Sequence, residues 1–206
     1  MSITLIYAHD PMCAWCWGFR PTWQDLRQQL PAHIQVKTLL GGLAPDSDEP
    51  MVEDMRRYLR DTWRQIQQRI PGTEFNFDFW EHCRPRRSTY PACRAVIAAR
   101  RLKADSEDAM ILAIQKAYYL QARNPSLPAT LIELAEEIGL DGPVFLEVMN
   151  AATTHTELRE EIAQCRRLRL TSFPSLALEV EGEHWPIRPE YGHPEAIRKQ
   201  IGLLVK

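Results

Sequence analysis

The sequence lacks the features that mark secreted, membrane or nucleic-acid-binding proteins. Its start, MSITLIYAHD, shows no basic leader followed by an apolar segment, and no apolar run approaches the roughly 20 residues of a membrane span. The 25 Lys and Arg nearly balance the 27 Asp and Glu, so the net charge of -2 gives no general attraction to nucleic acid or to an anionic membrane. These absences predict a cytoplasmic protein without nucleic-acid or membrane partners.

Cysteine is too scarce, and too unevenly placed, for a disulfide scaffold. Five cysteines cannot all pair, and a chain of 206 residues can bury a core without covalent help. Cys83, Cys93 and Cys165 each stand alone on helical or pre-helical stretches, where a free cysteine behaves as a small hydrophobic residue. We therefore predict structural roles for these three, whereas Cys13 and Cys16 lie too close together for the same explanation.

The two ends of the chain differ from its middle. Short β-rich apolar runs and turn residues predict strands at the ends, over 3–8, 34–40, 175–180 and 184–187. Apolar residues at helical spacing predict helices over 14–30, 51–70, 90–103, 106–123, 129–139, 143–151, 154–168 and 194–204.

The order of these elements predicts an α/β protein. A β-α-β unit at the start and a β-β-α unit at the end are typical of a thioredoxin fold, in which helices flank a central mixed sheet. Residues 1–48 and 170–206 would form this thioredoxin-like domain, and residues 49–169 a large inserted helical domain.

The stretch DPMCAWCWGF, residues 10–19, places two thiols one helical turn apart. If a helix begins near Cys13, unpaired backbone N–H groups and the helix dipole stabilise the thiolate of that residue. Cys16 would lie one turn deeper on the same face, where it can attack a mixed disulfide formed on Cys13. This spacing predicts a nucleophilic Cys13 and a resolving Cys16.

Two other interpretations of the pair remain open at this point. A structural zinc site needs four nitrogen or sulfur ligands, and the remaining candidates, His82, Cys83 and Cys93, do not follow a common zinc spacing. The two thiols could also be buried side chains without chemistry. We expect no metal.

A proline stands immediately before the third predicted strand, in LTSFPSLAL at 170–178. In this topology the loop before that strand faces the dithiol, and a cis proline there would expose backbone groups that can pair with an extended substrate. We therefore predict that Phe173 and Pro174 contact substrate. Trp15 and Trp17 flank the thiols, and we predict that they add an apolar docking surface, with packing in the core or at its rim as the alternative.

Charged residues near these motifs have less specific predictions. His9 and Asp10 end the first strand, where we expect hydrogen-bonding roles, and Arg20 is expected to face solvent. The basic clusters at 84–87 and 166–169 are expected on solvated faces.

These motifs together resemble the DsbA family of thioredoxin-fold oxidoreductases, in particular its cytosolic FrnE-like branch. The resemblance rests on DPMCAWCWGF, LLGGLAP at 39–45, STYPACRAVIAA at 88–99 and the late SFP, and it spans nearly the whole chain. It implies thiol–disulfide exchange through a redox-active Cys13–Cys16 disulfide with no separate cofactor, and a cis Pro174. Its implied partners are proteins that carry thiols or disulfides, and glutathione.

The residues between the cysteines bear on the direction of the reaction. Neither Ala14 nor Trp15 carries the charge or hydrogen-bond donor that a histidine there would offer to a thiolate, and a strongly oxidising dithiol is one whose reduced form is unusually stabilised. We therefore expect reduction or isomerisation of protein disulfides rather than oxidation.

Two further functions stay open. One is a glutathione-dependent isomerase or transferase, because kappa-class transferases and hydroxychromene carboxylate isomerases share the inserted-helix arrangement. In those enzymes a serine usually replaces the dithiol. A chaperone-like binding protein could use the tryptophans as an apolar groove and the cysteines as sensors of oxidation.

Overall fold

The computed structural model describes residues 2–205, which form one four-stranded sheet and nine helices. The strands are β1 (Ile3–His9), β2 (Ile34–Leu40), β3 (Ser175–Val180) and β4 (Glu183–Ile187). The helices are α1 (Ala14–Gln29), α2 (Glu53–Arg69), α3 (Phe79–His82), α4 (Tyr90–Leu102), α5 (Ser106–Tyr119), α6 (Pro128–Glu137), α7 (Gly142–Asn150), α8 (Ala152–Arg167) and α9 (Pro194–Leu204).

The sheet has the strand order β2-β1-β3-β4, which confirms the predicted thioredoxin topology. β1 runs parallel to β2, in register from Ile3 opposite Ile34 to His9 opposite Leu40, and α1 forms the crossover between them. β3 pairs antiparallel with β1 and with β4. β1 is an inner strand of the sheet, and the loop that carries the two cysteines follows directly from its carboxyl end.

The hairpin between β3 and β4 closes through Glu181 and Gly182, which both have positive φ, 52° and 90°. Two left-handed residues in a two-residue loop match the twist of the flanking strands. The fourth strand was predicted to begin at 184, whereas β4 begins one residue earlier, at Glu183.

The apolar character of β1 follows from its burial on both faces. Leu5 and Tyr7 pack with α1 and α9 on one face, whereas Ile6 and Ala8 pack with β2 and the end of α8 on the other. Such two-sided burial explains why this strand is a continuous apolar run rather than an alternating one.

The helical segment has its own core around α4, whose residues 91–99 are all buried. Small side chains at Ala92, Ala95, Ala98 and Ala99 allow α5, α7 and α8 to pack closely against it. Met12 belongs to the same apolar cluster, so the cysteine loop lies where the sheet meets the helices.

Most predicted elements agree with the structure to within two or three residues. Helix α5 ends at Tyr119 instead of 123, because the chain turns at Ala122, which has a φ of 52°. The four-residue α3 was not predicted, since one helical turn shows no periodicity. The division into residues 1–48 and 170–206 against 49–169 stays a prediction. No helix within residues 2–205 has the length and apolar character needed to cross a bilayer.

Candidate active site

Cys13 and Cys16 lie at the first turn of α1, as the sequence predicts. Cys13 is the N-cap residue, with extended backbone (φ -83°, ψ 117°), and its sulfur accepts a hydrogen bond from the backbone N–H of Cys16 at 3.4 Å. Both thiols are free, and Cys13 is 6% exposed whereas Cys16 is fully buried. A substrate can therefore reach Cys13 first.

The surroundings of Cys16 keep it in the thiol form. Burial raises the pKa of the Cys16 thiol well above its ordinary value, and the neighbouring Cys13 sulfur raises it further, whereas a hydrogen bond from the backbone N–H of Asp10 lowers it. A protonated, sheltered thiol is a weak nucleophile toward outside molecules. Cys16 is thus less reactive toward outside molecules than an exposed, ionised thiol would be.

The loop before β3 lies against Cys13. The Phe173–Pro174 peptide bond is cis, as the resemblance implies, and the Cys13 thiol donates to the carbonyl of Phe173 at 3.3 Å. The Phe173 ring fits here because residue 41, in the turn after β2, is a glycine. A Cβ built on Gly41 would lie 1.8 Å from Cζ of Phe173. The absence of that atom makes room for the ring beside the reactive sulfur.

The carboxylate of Asp10 is the anchor of this site. It is fully buried, and its two oxygens accept from the backbone N–H groups of Met12 at 2.8 Å and Leu43 at 2.7 Å, from the hydroxyl of Thr89 at 2.7 Å and from the thiol of Cys93 at 3.6 Å. Burial raises the pKa of Asp10, and these donors oppose the rise. One side chain therefore joins the cysteine loop, the glycine turn after β2 and the start of α4.

A groove of about 260 Å³ opens above Cys13, between α1, α2 and the loop before β3. Its lining includes the predicted substrate contacts Trp15 and Phe173, together with the apolar residues Met12, Met51, Leu59, Trp63 and Tyr118. Neither Trp17 nor Pro174 lines it. Trp17 stacks on Tyr119, with ring centroids 5.8 Å apart, and its indole N–H donates to the carbonyl of Glu74. The structure thus gives Trp17 a packing contact, and its role in substrate binding stays a prediction.

Two charged regions differ from expectation. Arg20 is only 6% exposed and binds Asp108 at 3.1 Å and Gln115 at 3.3 Å, so the expectation that it faces solvent is wrong. Arg86 and Arg87, expected on a solvated face, both line the groove beside Cys13.

A second cavity, of about 160 Å³, reaches Cys16 from another direction and is lined by Tyr7, His9 and Arg20. His9 is 1% exposed, and its Nε2 has no hydrogen-bond partner among residues 2–205. The ring stacks instead on Tyr7 at 4.9 Å. Burial lowers the pKa of His9 to about 3, with the positive charges of Arg20 and Arg100 acting in the same direction. The side chain is therefore neutral near physiological pH.

Within the described part of the chain, no three His, Cys, Asp or Glu side chains are grouped so that they could hold an ion.

The pattern of the family described as "DSBA-like thioredoxin domain" matches residues 4–188. The chain belongs to this family. As a DsbA-like protein it is a thiol–disulfide oxidoreductase, which agrees with the paired thiols at the start of α1. No curated protein sequence matches the chain.

Solved structures of two bacterial proteins are similar over nearly their whole length. A protein from Nitrosomonas europaea, provisionally described as a protein disulfide isomerase, is 26% identical, with a TM-score of 0.86 over 100% of this chain and 98% of that one. The cytosolic disulfide reductase DsbM from Pseudomonas aeruginosa is 29% identical, with a TM-score of 0.79 over 98% of both chains. A structure of DsbM with glutathione has a TM-score of 0.77, at 25% identity and 98% of both chains.

Several residues that shape the site were not singled out from the sequence. Gly41 and Thr89 lie inside segments that carry the family resemblance, but nothing in one sequence tells what a glycine or a hydroxyl will face. Asp10 was assigned only a strand-end role, because its partners Leu43 and Thr89 are distant along the chain.

Substitution of Gly41 tests its contact with Phe173. We predict that Gly41→Ala lowers the free energy of unfolding by about 1–3 kcal/mol and slows disulfide reduction, because the new methyl group must displace the Phe173 ring. Urea unfolding and turnover assays measure the two effects. Gly202→Ala is the matched control, since its Cβ meets no atom within 4 Å. Wild-type behaviour of Gly41→Ala would disprove the contact.

Substitution of Asp10 tests the anchor. Asp10→Asn replaces an acceptor oxygen with an amide group that faces buried donors, so we expect a loss of about 2–4 kcal/mol in the free energy of unfolding. Asp25→Asn, on the exposed face of α1, should change it by less than about 0.5 kcal/mol. Equal effects of the two substitutions in urea unfolding would contradict the assignment.

The buried His9 predicts a pH dependence of stability. Below its ordinary pKa of 6.5 the unfolded chain takes up a proton at His9, whereas the folded chain does so only near pH 3, so stability is lost as the pH falls between these values. At pH 5 the loss from this one residue is about 2 kcal/mol relative to pH 7.5.

We expect His9→Phe, which keeps an aromatic ring on Tyr7, to remove this loss. The measurement is the urea-derived free energy of unfolding at pH 7.5 and pH 5 for wild type and variant. The raised pKa of Asp10 acts in the opposite direction in both proteins and cancels in the difference. An unchanged pH dependence in the variant would show that folding does not lower the pKa of His9.

Proposed function

We propose that the chain reduces or isomerises disulfide bonds of protein substrates in the cytoplasm, with Cys13 as nucleophile and Cys16 as resolving thiol. The observation that carries the proposal is the difference between the two sulfurs. Cys13 opens onto a groove and touches the carbonyl of Phe173, whereas Cys16 has no exposed surface and does not line that groove.

The reaction follows from this arrangement in two exchanges. The thiolate of Cys13 attacks one sulfur of a substrate disulfide, which forms a mixed disulfide and releases the other substrate sulfur as a thiolate that takes up a proton. Cys16 then gives up its proton and attacks the sulfur of Cys13, which releases the second substrate thiol. The substrate gains two electrons, and the Cys13–Cys16 pair loses two as its disulfide forms.

The loop before β3 supports the binding of an extended substrate. Phe173 lines the groove, and its backbone lies at hydrogen-bond distance from the reactive sulfur. A substrate strand that pairs with such a loop gains backbone hydrogen bonds without any requirement on its side chains. The groove can therefore accept different disulfides in one register.

The oxidised pair must be reduced again before another cycle. We propose glutathione as the small thiol that does this, in the cytoplasm, and the similarity to a reductase described as cytosolic, with one structure containing glutathione, supports both parts. Neither Ala14 nor Trp15 carries a charge that would stabilise the thiolate of Cys13, which favours reduction or isomerisation over oxidation.

Single cysteine variants test the roles of the two sulfurs. We predict that Cys13→Ser reduces insulin disulfides no faster than buffer, because the attacking sulfur is missing. Cys16→Ser should instead accumulate a mixed disulfide on Cys13, visible by mass spectrometry of the intact protein. Cys83→Ser is the matched control, since this half-buried thiol lies outside the site and donates only to the carbonyl of Ala122. It should keep wild-type turnover.

The same experiment separates the alternatives. Equal turnover by wild type, Cys13→Ser and Cys16→Ser would reject the dithiol mechanism. Suppression of aggregation of an unfolded protein by all three, without reduction of insulin, would identify a binding protein in which the cysteines only sense oxidation.

A further inference from the structure

The groove above Cys13 carries an unbalanced positive charge. Two guanidinium groups, of Arg86 and Arg87, are among its lining residues, and none of those residues is Asp or Glu. The charges of the protein as a whole nearly balance, with 25 basic and 27 acidic residues. The excess of cations at the reactive sulfur is therefore local and cannot be attributed to composition.

The two arginines differ in what they bind. Arg86 pairs with Asp48 at 2.7 Å, so a carboxylate of the protein already lies against its guanidinium group. Arg87 makes no ion pair with any of residues 2–205, although it is only half exposed. Its charge is felt inside the groove, because burial raises the pKa of Tyr118 and the nearby guanidinium of Arg87 opposes that rise. A half-buried arginine that pairs with no carboxylate of the protein is available to bind an anionic ligand.

The rest of the groove indicates the size and chemistry of the partner. Its volume of about 260 Å³ lies just below the range of about 300–1,000 Å³ that is usual for small-molecule sites, and its walls are otherwise apolar and aromatic. A compact thiol with a carboxylate a few bonds from its sulfur satisfies both halves of this site. Its sulfur would meet Cys13 while its carboxylate meets Arg87.

We propose that Arg87 is a specificity-determining residue that binds the carboxylate of a small anionic thiol, of the glutathione type, during reduction of the Cys13–Cys16 disulfide. This inference rests on the proposed function. In the reaction one thiolate attacks Cys13 and frees Cys16 as a thiol, and a second thiolate then attacks the outer sulfur of the mixed disulfide. Two thiols lose one electron each and leave as a disulfide, and the protein pair gains both.

The test compares three thiols that differ in charge. Oxidised protein is mixed with glutathione, with uncharged 2-mercaptoethanol or with cationic cysteamine, and the rate of appearance of free Cys13 and Cys16 is followed by quenched alkylation. We expect Arg87→Gln to slow reduction by glutathione about tenfold, to change reduction by 2-mercaptoethanol less than about twofold, and to leave reduction by cysteamine equal or faster. Because each thiol is compared between two proteins, its own reactivity cancels.

The neighbouring Arg84 provides the matched control. It belongs to the same basic loop but is exposed and does not line the groove. Arg84→Gln removes the same charge and should leave all three rates within about twofold of wild type. If the rate of reduction by glutathione fell equally in both variants, the effect would come from the total positive charge of the loop. That result would overturn the role of Arg87. An equal loss for all three thiols in Arg87→Gln would do the same, because it would indicate a structural effect.

A binding measurement keeps the proposal independent of the dithiol chemistry. S-methylglutathione cannot exchange disulfides, so its dissociation constant, from NMR titration of wild-type protein, reports the subsite alone. We expect that Arg87→Gln, or esterification of the carboxylates of the ligand, weakens binding about tenfold and that the two changes together weaken it little further. Unchanged binding in Arg87→Gln would overturn the proposal. Failure of all three thiols to reduce the wild-type pair would overturn the proposed function instead.

Discussion

The geometry of the site depends on a buried carboxylate whose hydrogen bonds are all made within the protein. Asp10 gathers donors from the cysteine loop, from the turn after β2 and from Thr89 before α4, which are far apart along the chain. A carboxylate that loses water must find such partners, because an unpaired buried acceptor costs about 1–3 kcal/mol and a charged one more. Three segments are therefore fixed relative to one another by the need to satisfy one side chain.

The hydroxyl of Thr89 extends this constraint. It donates to Asp10 and accepts from the backbone N–H of Ala44 at 3.1 Å, so Leu43 and Ala44, which follow the two glycines, are both held by this hydrogen-bonded pair. Gly41, in this turn, leaves the space that the Phe173 ring fills. In this way Asp10 holds the glycine segment against which the Phe173 ring packs.

The sequence contains enough local information to predict the elements but little about which of them meet. The apolar pattern of an element that spans several residues can be read from the sequence, which is how the strands 3–8 and 34–40 and the helix 51–70 were predicted. The position of Cys13 at the start of a helix was predicted because an N-cap is a property of neighbouring residues, and Cys13 is the N-cap of α1. Asp10 and Thr89 are separated by 79 positions, and the ion pair that buries Arg20 by 88, so no local pattern could indicate either contact. Single charges such as Arg87 are the hardest case, since their environment depends entirely on tertiary packing.

The reactive sulfurs and the wall of the groove come from different parts of the chain. Both sulfurs and the Phe173 carbonyl belong to the segments that form or flank the sheet, whereas Leu59, Trp63 and Arg87 reach the groove from the helical segment. The thiol chemistry depends on contacts within a few ångströms of Cys13, which an arginine in the groove wall does not make. Charge in that wall acts on whatever enters the groove, and so the choice of partner can change while the exchange reaction at the sulfurs stays the same.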